Sequence, residues 1–155
     1  MIRFSEQDYK KLVSMLTNIE ELTNSFYSLT CKQTEILEFG SVEQLDKNIS
    51  ERQSIIDSID AINREVGNLL NTYKHIELET TSDDPQIRQL ALIRERIREK
   101  LNQTRGINEK NEKMAYEKRD ELRAEAARVS MSHKSIRAYN QDMTIAEPVY
   151  YDKKE

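Results

Sequence analysis

The sequence predicts an all-α protein: an antiparallel bundle of three long helices, the third extended, with a non-helical C-terminal tail. The helix-breaking residues Gly and Pro occur only three times and twice in 155 residues. Apolar residues recur mostly at steps of three and four, the helical period. Three segments carry helix-start signals, at Ser5, Ser41 and Asp84. We expect a helical domain at residues 1–137 and a flexible tail at residues 138–155.

The first helix is predicted at about residues 5–39. Ser5 is a favourable N-cap, and acidic residues follow it in the first turn. Gly40 suits the left-handed position that ends many helices. The apolar stripe of this helix consists of Tyr9, Leu12, Leu16, Ile19, Leu22, Phe26 and Leu29.

The second helix is predicted at about residues 42–78. Ser41 and Gln44 have the spacing of a capping box, in which each side chain bonds the other residue's amide. A connection of one or two residues forces the first two helices into an antiparallel hairpin. The apolar stripe here consists of Val42, Leu45, Ile49, Ile56, Ile59, Val66, Leu70 and Tyr73.

The third helix is predicted at about residues 85–137, with Asp84 as N-cap and Pro85 at its first position. Six of the 17 residues from 85 to 101 are Ile or Leu, whereas only six of the 36 from 102 to 137 are Val, Ile, Leu, Met or Phe. The near part can therefore bury itself against the hairpin. The far part is longer than its neighbours can cover and has little apolar surface of its own.

Scattered apolar residues on the far part of this helix are the candidate binding site. We predict that they contact an amphipathic helix of a partner protein. The alternative is that they pack against the first helix or against a second copy of the chain. The predicted partner-binding residues are Met114, Leu122, Ala126, Val129 and Ile136.

Two further features leave alternatives open. Asn108 and Asn111 fall on the predicted seam, where buried Asn can fix helix register. We expect instead that the seam shifts at Gly106 and leaves both exposed. In the tail, Val149–Tyr151 is either an ordinary unstructured end or a docking segment.

Nothing in the sequence indicates catalysis, so we predict that the protein is not an enzyme and uses no cofactor or metal. His75 and His133, expected on different helices, lie in no metal-binding pattern. Cys31 has no histidine near it in sequence, and we expect it to be a partly buried filler. The three isolated glycines cannot form a phosphate-binding loop.

Charge and hydropathy restrict the partners and the compartment. The net charge is −4, and acidic residues are interspersed through the more basic second half, so we expect no nucleic-acid binding. The mean hydropathy is −0.81, and no run of about 18 apolar residues occurs, so we expect no membrane insertion. The first residues lack an apolar signal core, and a single cysteine gives no support for secretion. We therefore expect a cytoplasmic protein.

Three segments resemble the FlgN/FliT-type flagellar export chaperones. The first is the turn Leu37-Glu38-Phe39-Gly40-Ser41-Val42-Glu43-Gln44-Leu45 between two amphipathic helices. The second is Asn108-Glu109-Lys110-Asn111 in the middle of a long helix, and the third is the tail Ala138-Tyr139-Asn140 with Tyr150-Tyr151-Asp152-Lys153-Lys154. The resemblance spans nearly the whole chain.

This resemblance implies a cytoplasmic helical bundle that binds late flagellar export substrates and prevents their premature assembly. FlgN-like members serve hook–filament junction proteins, and FliT-like members serve the filament cap protein. The resemblance also implies delivery to the type III export apparatus and binding through the C-terminal helical region, which corresponds here to residues 114–136. The alternative function is a homo-oligomeric coiled-coil structural or adaptor protein.

Overall fold

The computed structural model describes residues 3–133, with side chains described to residue 128. Three helices, α1 (Glu6–Phe39), α2 (Val42–Asn71) and α3 (Pro85–His133), account for most of this range. The predicted all-α bundle is confirmed. Contacts between α3 and α1 advance together along both helices, from Asn111–Thr30 to Lys118–Leu37, so these helices are parallel. Asn48 bonds the carbonyl of Leu29 across the short α1–α2 connection, so α2 is antiparallel to α1.

The predicted caps begin each helix. The Ser5 hydroxyl oxygen accepts a hydrogen bond of 3.1 Å from the amide of Asp8, three residues later. Ser41 and Gln44 form the reciprocal capping box, with bonds of 2.8 and 3.2 Å. Asp84 Oδ1 accepts a hydrogen bond of 2.9 Å from the Gln86 amide, and Pro85 is the first helical residue. Local sequence therefore fixes where the helices start.

The predicted end of α2 at residue 78 is wrong, because α2 ends at Asn71. The chain then turns, and the Tyr73 ring lies 4.7 Å from the Phe4 ring, edge to face. The Tyr73 hydroxyl also donates to Asp8 at 2.5 Å. These contacts form only if the chain leaves the helical path. His75 consequently lies in the turn and not on a helix.

The predicted third helix to residue 137 and the tail at 138–155 run beyond the described residues, as does Val149–Tyr151 within that tail. Over the described range α3 is continuous from Pro85 to His133, and Gly106 does not interrupt it.

Gly40 ends α1 for a different reason from the one predicted. Its backbone does not adopt a left-handed φ. A Cβ at this position would instead lie 2.7 Å from Gln44 Oε1 and 2.8 Å from the carbonyl oxygen of Ile36. Close approach of the capping-box side chain and of the last turn of α1 therefore requires glycine here.

The chain divides into two compact units. The apolar-core unit comprises Met1–Ser28 and Gln53–Thr104, and the polar-core unit comprises Leu29–Arg52 and Arg105–Glu155. Each unit contains a segment of all three helices, so each has a three-helix core of its own. The names refer to the side chains that fill those cores.

The apolar-core unit is held by one cluster of buried apolar residues, and twelve partly buried hydrophobic residues pack against it. Its buried threonines bond within their own helices: Thr23 donates to the Ile19 carbonyl and Thr104 to the Lys100 carbonyl, both at 2.7 Å. The cluster consists of Phe4, Leu12, Met15, Leu16, Ile19, Ile59, Val66, Leu90, Ile93 and Ile97.

Candidate partner-binding surface

Polar side chains fill much of the polar-core unit. Asn111 Nδ2 donates to the Thr30 carbonyl at 2.9 Å and to Gln33 Oε1 at 3.2 Å, and Asn111 Oδ1 accepts from the Thr34 hydroxyl at 2.6 Å. Asn108 is 4% exposed and Asn111 is fully buried. The expectation that both would be exposed is wrong, because the seam of α3 does not shift at Gly106.

Arg52 is the largest fully buried side chain described. Its NH2 group donates to Asn108 Oδ1 at 2.7 Å, which joins α2 to α3. Burial lowers the pKa of this guanidinium from its usual value to about 10, so it remains charged at neutral pH. A charge inside a core is costly unless its partners are in place. The Arg52–Asn108 pair therefore favours a single register of α2 against α3.

Lys118 supplies the cation that the end of α1 lacks. The last turn of α1 has no basic residue. Lys118 Nζ of α3 donates to the carbonyl oxygens of Leu37 at 3.0 Å and Glu38 at 3.5 Å. It thus satisfies carbonyl groups with no partner inside the helix and interacts favourably with the helix dipole.

A groove lies where the α1–α2 connection meets α3; we call it the connection groove. Its cavity volume is about 70 Å³. Leu37 and Leu45 belong to the small apolar cluster of the polar-core unit and are buried, whereas Val42 is 50% exposed. The lining residues are Ile36, Leu37, Gly40, Ser41, Val42, Leu45, Ala115, Lys118, Arg119 and Leu122.

The predicted binding residues do not all share one environment. Met114 packs against the apolar cluster formed by Leu37, Leu45 and Ile49 of its own chain. Leu122 is 37% exposed and lines the connection groove, whereas Ala126 is 4% exposed. The side chains of Val129 and Ile136 lie outside the described residues. Among the described residues of that set, Leu122 is the most exposed, and Met114 is partly buried.

Sequence reasoning missed the contribution of the α1–α2 connection. Phe39 is 87% exposed and Val42 is 50% exposed, and they flank the Gly40–Ser41 turn. From the sequence, Phe39 is placed at the end of the first helix and Val42 in the apolar stripe of the second, and neither is assigned to a binding surface. One apolar residue on each side of a two-residue connection is the sequence signal that could have indicated exposed apolar surface there.

The remaining predicted features are unremarkable in their surroundings. Cys31 is a partly buried free thiol, as predicted. Between residues 3 and 133 no three His, Cys, Asp or Glu side chains come together as metal ligands. No helix in that range is both long and apolar enough to cross a membrane.

The described part of the chain is a three-helix protein with an apolar groove at the α1–α2 connection, lined also by the basic residues Lys118 and Arg119. Comparison with known families gives the identity: a family model described as FlgN protein matches residues 1–144. The chain belongs to the FlgN family of flagellar export chaperones. No curated protein and no solved structure matches it.

Proposed function

We propose that this chain is a cytosolic export chaperone that binds a flagellar axial protein of the hook–filament junction or filament cap type. It prevents premature assembly of that protein and aids its delivery to the type III export apparatus. Family membership supports the class of function. The binding element is the amphipathic C-terminal part of α3.

One observation carries the choice of element. Lys118 bonds the last turn of α1, so α3 continues for 15 further residues, from 119 to 133, past the point where α1 ends. Leu122 lies in this continuation with 37% of its surface exposed. An amphipathic partner helix laid along it would cover apolar surface that α1 does not reach.

The small apolar area suits a chaperone that must release its cargo. Burial contributes roughly 25 cal/mol per Å² of apolar surface, so a few side chains give a modest favourable term. Part of that term offsets the cost of ordering a disordered segment on binding. Affinity consequently stays in a range from which the export apparatus can remove the cargo.

The test is a pull-down from cells that co-express the tagged full chain with the junction or cap proteins of the same bacterium. Leu122→Asp places a charge in the contact and is expected to reduce recovery at least tenfold. Ala124→Asp, two residues further on and exposed, is the matched control and is expected to retain binding. Circular dichroism of both variants should match the unsubstituted chain.

Three results would contradict the proposal. One is undiminished binding by Leu122→Asp. Another is a large loss of helix in that variant, since a position free to bind a partner cannot be needed for folding. The third is a stable dimer joined through α3, seen by sedimentation together with no capture of any axial protein, which is the behaviour of a coiled-coil scaffold.

A further inference from the structure

We propose that the connection groove binds an amphipathic helix of a partner protein that carries acidic residues beside its apolar face. This rests on the proposed function only for the identity of the partner. The chemistry of the occupant follows from the groove, which includes the α1–α2 connection and is not confined to the C-terminal part of α3.

Exposed apolar surface is concentrated at this place. Four large hydrophobic residues are exposed in the described part of the chain: Phe39, Val42, Leu92 and Leu122. Val42 and Leu122 line the groove, and Phe39 immediately precedes Gly40, which also lines it. The cavity of about 70 Å³ exceeds the roughly 10–15 Å³ of such volume that one water needs, so it has room for an apolar group.

The charge of the lining selects an acidic occupant. Lys118 and Arg119 line the groove and no Asp or Glu does, although the whole chain has a net charge of −4. Neither cation forms an ion pair with a carboxylate among residues 3–133. Lys118 donates to carbonyl oxygens, and the Arg119 guanidinium lies 4.7 Å from the centre of the Tyr116 ring.

The backbone of the groove favours a helical occupant over an extended one. The Gly40 amide already donates to the Ile36 carbonyl at 2.7 Å, and the Ser41 amide to Gln44 Oε1 at 2.8 Å. The Leu45 amide donates to the Ser41 carbonyl at 3.1 Å. An extended peptide would find no sheet edge to join, whereas a helix satisfies its own backbone groups.

Two synthetic 18-residue helical peptides test this inference. They share one leucine face, and the flanking positions are Glu in one peptide and Lys in the other. Amide resonances of the ¹⁵N-labelled full chain report the site: Gly40 lies in the groove, while Gly67 and Gly106 lie elsewhere on α2 and α3. We expect the Glu peptide to shift Gly40, and to bind at least tenfold more tightly than the Lys peptide.

Val42→Asp is the decisive variant because it should not harm folding. Val42 is the first residue of α2, and a negative charge is favourable at a helix N-terminus. We expect this variant to weaken binding of the Glu peptide at least tenfold. Ser50→Asp, at an exposed position further along α2, is the control and should bind as the unsubstituted chain does.

Equal binding of both peptides, or shifts confined to Gly67 or Gly106, would overturn the inference. So would concentration-dependent shifts of Gly40 without peptide, because the occupant would then be a second copy of the chain. If an axial protein binds the unsubstituted chain and Val42→Asp equally, the groove proposal fails while the proposed function stands. If no axial protein binds but the Glu peptide does, the proposed function fails while the groove proposal stands.

Discussion

The apolar-core unit and the polar-core unit are built from the same three helices but filled with different side chains. Ten buried apolar residues form the cluster of the first, whereas three form that of the second. Buried threonines of the apolar-core unit bond within their own helices, whereas Asn48, Arg52, Asn108 and Asn111 of the polar-core unit bond between helices. Its buried polar residues are Thr30, Gln33, Asn48, Arg52, Asn108 and Asn111.

This difference separates the part of the molecule that holds the fold from the part that can adapt. Fully burying a leucine or isoleucine side chain contributes about 1.5–3 kcal/mol, whereas a hydrogen bond between buried groups contributes a net of about 0.5–1.5 kcal/mol because bonds to water are lost. A core of polar pairs is therefore specific in register but weakly held. Binding surfaces are commonly drawn from such regions of low local stability.

The largest effect should come from truncating the apolar core. Leu90→Ala removes a fully buried side chain of the apolar-core unit and should lower the free energy of unfolding by about 2.5–5 kcal/mol. Leu122→Ala in the polar-core unit should cost less than about 1 kcal/mol, because Leu122 is 37% exposed. Urea unfolding followed by circular dichroism measures both. Equal losses would show that Leu122 supports the fold as a core residue does, and would contradict its place on a free surface.

A smaller effect should come from the Arg52–Asn108 pair. Asn108→Leu leaves the buried guanidinium without this acceptor and should cost about 1–3 kcal/mol. Replacing both residues with leucine should recover most of that loss or increase stability, because no charge is then buried. Urea unfolding of the two single variants and of the double variant gives the coupling free energy between Arg52 and Asn108. Additive losses would show that the pair does not act as a unit.

The smallest effect should come from the helix cap. Lys118→Ala removes the cation at the end of α1 and should cost about 0.3–1 kcal/mol at low ionic strength, less in high salt. Lys113→Ala, at an exposed position five residues earlier on α3, should be nearly neutral. Thermal unfolding at two salt concentrations compares them. A cost for Lys118→Ala that is independent of salt would indicate a role other than charge.

The sequence predicted the elements and their starts well because these depend on local signals. Capping at Ser5, Ser41 and Asp84 is a matter of three or four adjacent residues, as is the helical period of the stripes. The end of α2 was missed because Tyr73 leaves the helix to contact Phe4 and Asp8, more than 60 residues away in sequence. Local sequence patterns do not indicate contacts between residues so far apart in the chain.

The site was less predictable for the same reason. A polar residue on a helix seam is ordinarily solvent-exposed, and Asn111 becomes buried only because Thr30, Gln33 and Thr34 supply its partners from α1. Leu122 was identified by its place on a long polar helix. Its neighbour in the groove, Val42, was assigned to a helix stripe because the connection between α1 and α2 could not be placed against α3.

Hydrogen exchange along α1 tests the contrast between the two units most directly. One helix passes through both, so residues 12–28 and residues 30–35 can be compared within a single element of the free chain. We expect the openings that expose the amides of residues 30–35 to be at least about tenfold more populated than those that expose the amides of residues 12–28. This ratio corresponds to a difference of about 1.4 kcal/mol in opening free energy. The double variant Arg52→Leu with Asn108→Leu should reduce this difference in opening free energy between residues 30–35 and residues 12–28. Uniform protection from residue 12 to residue 35 would contradict the account.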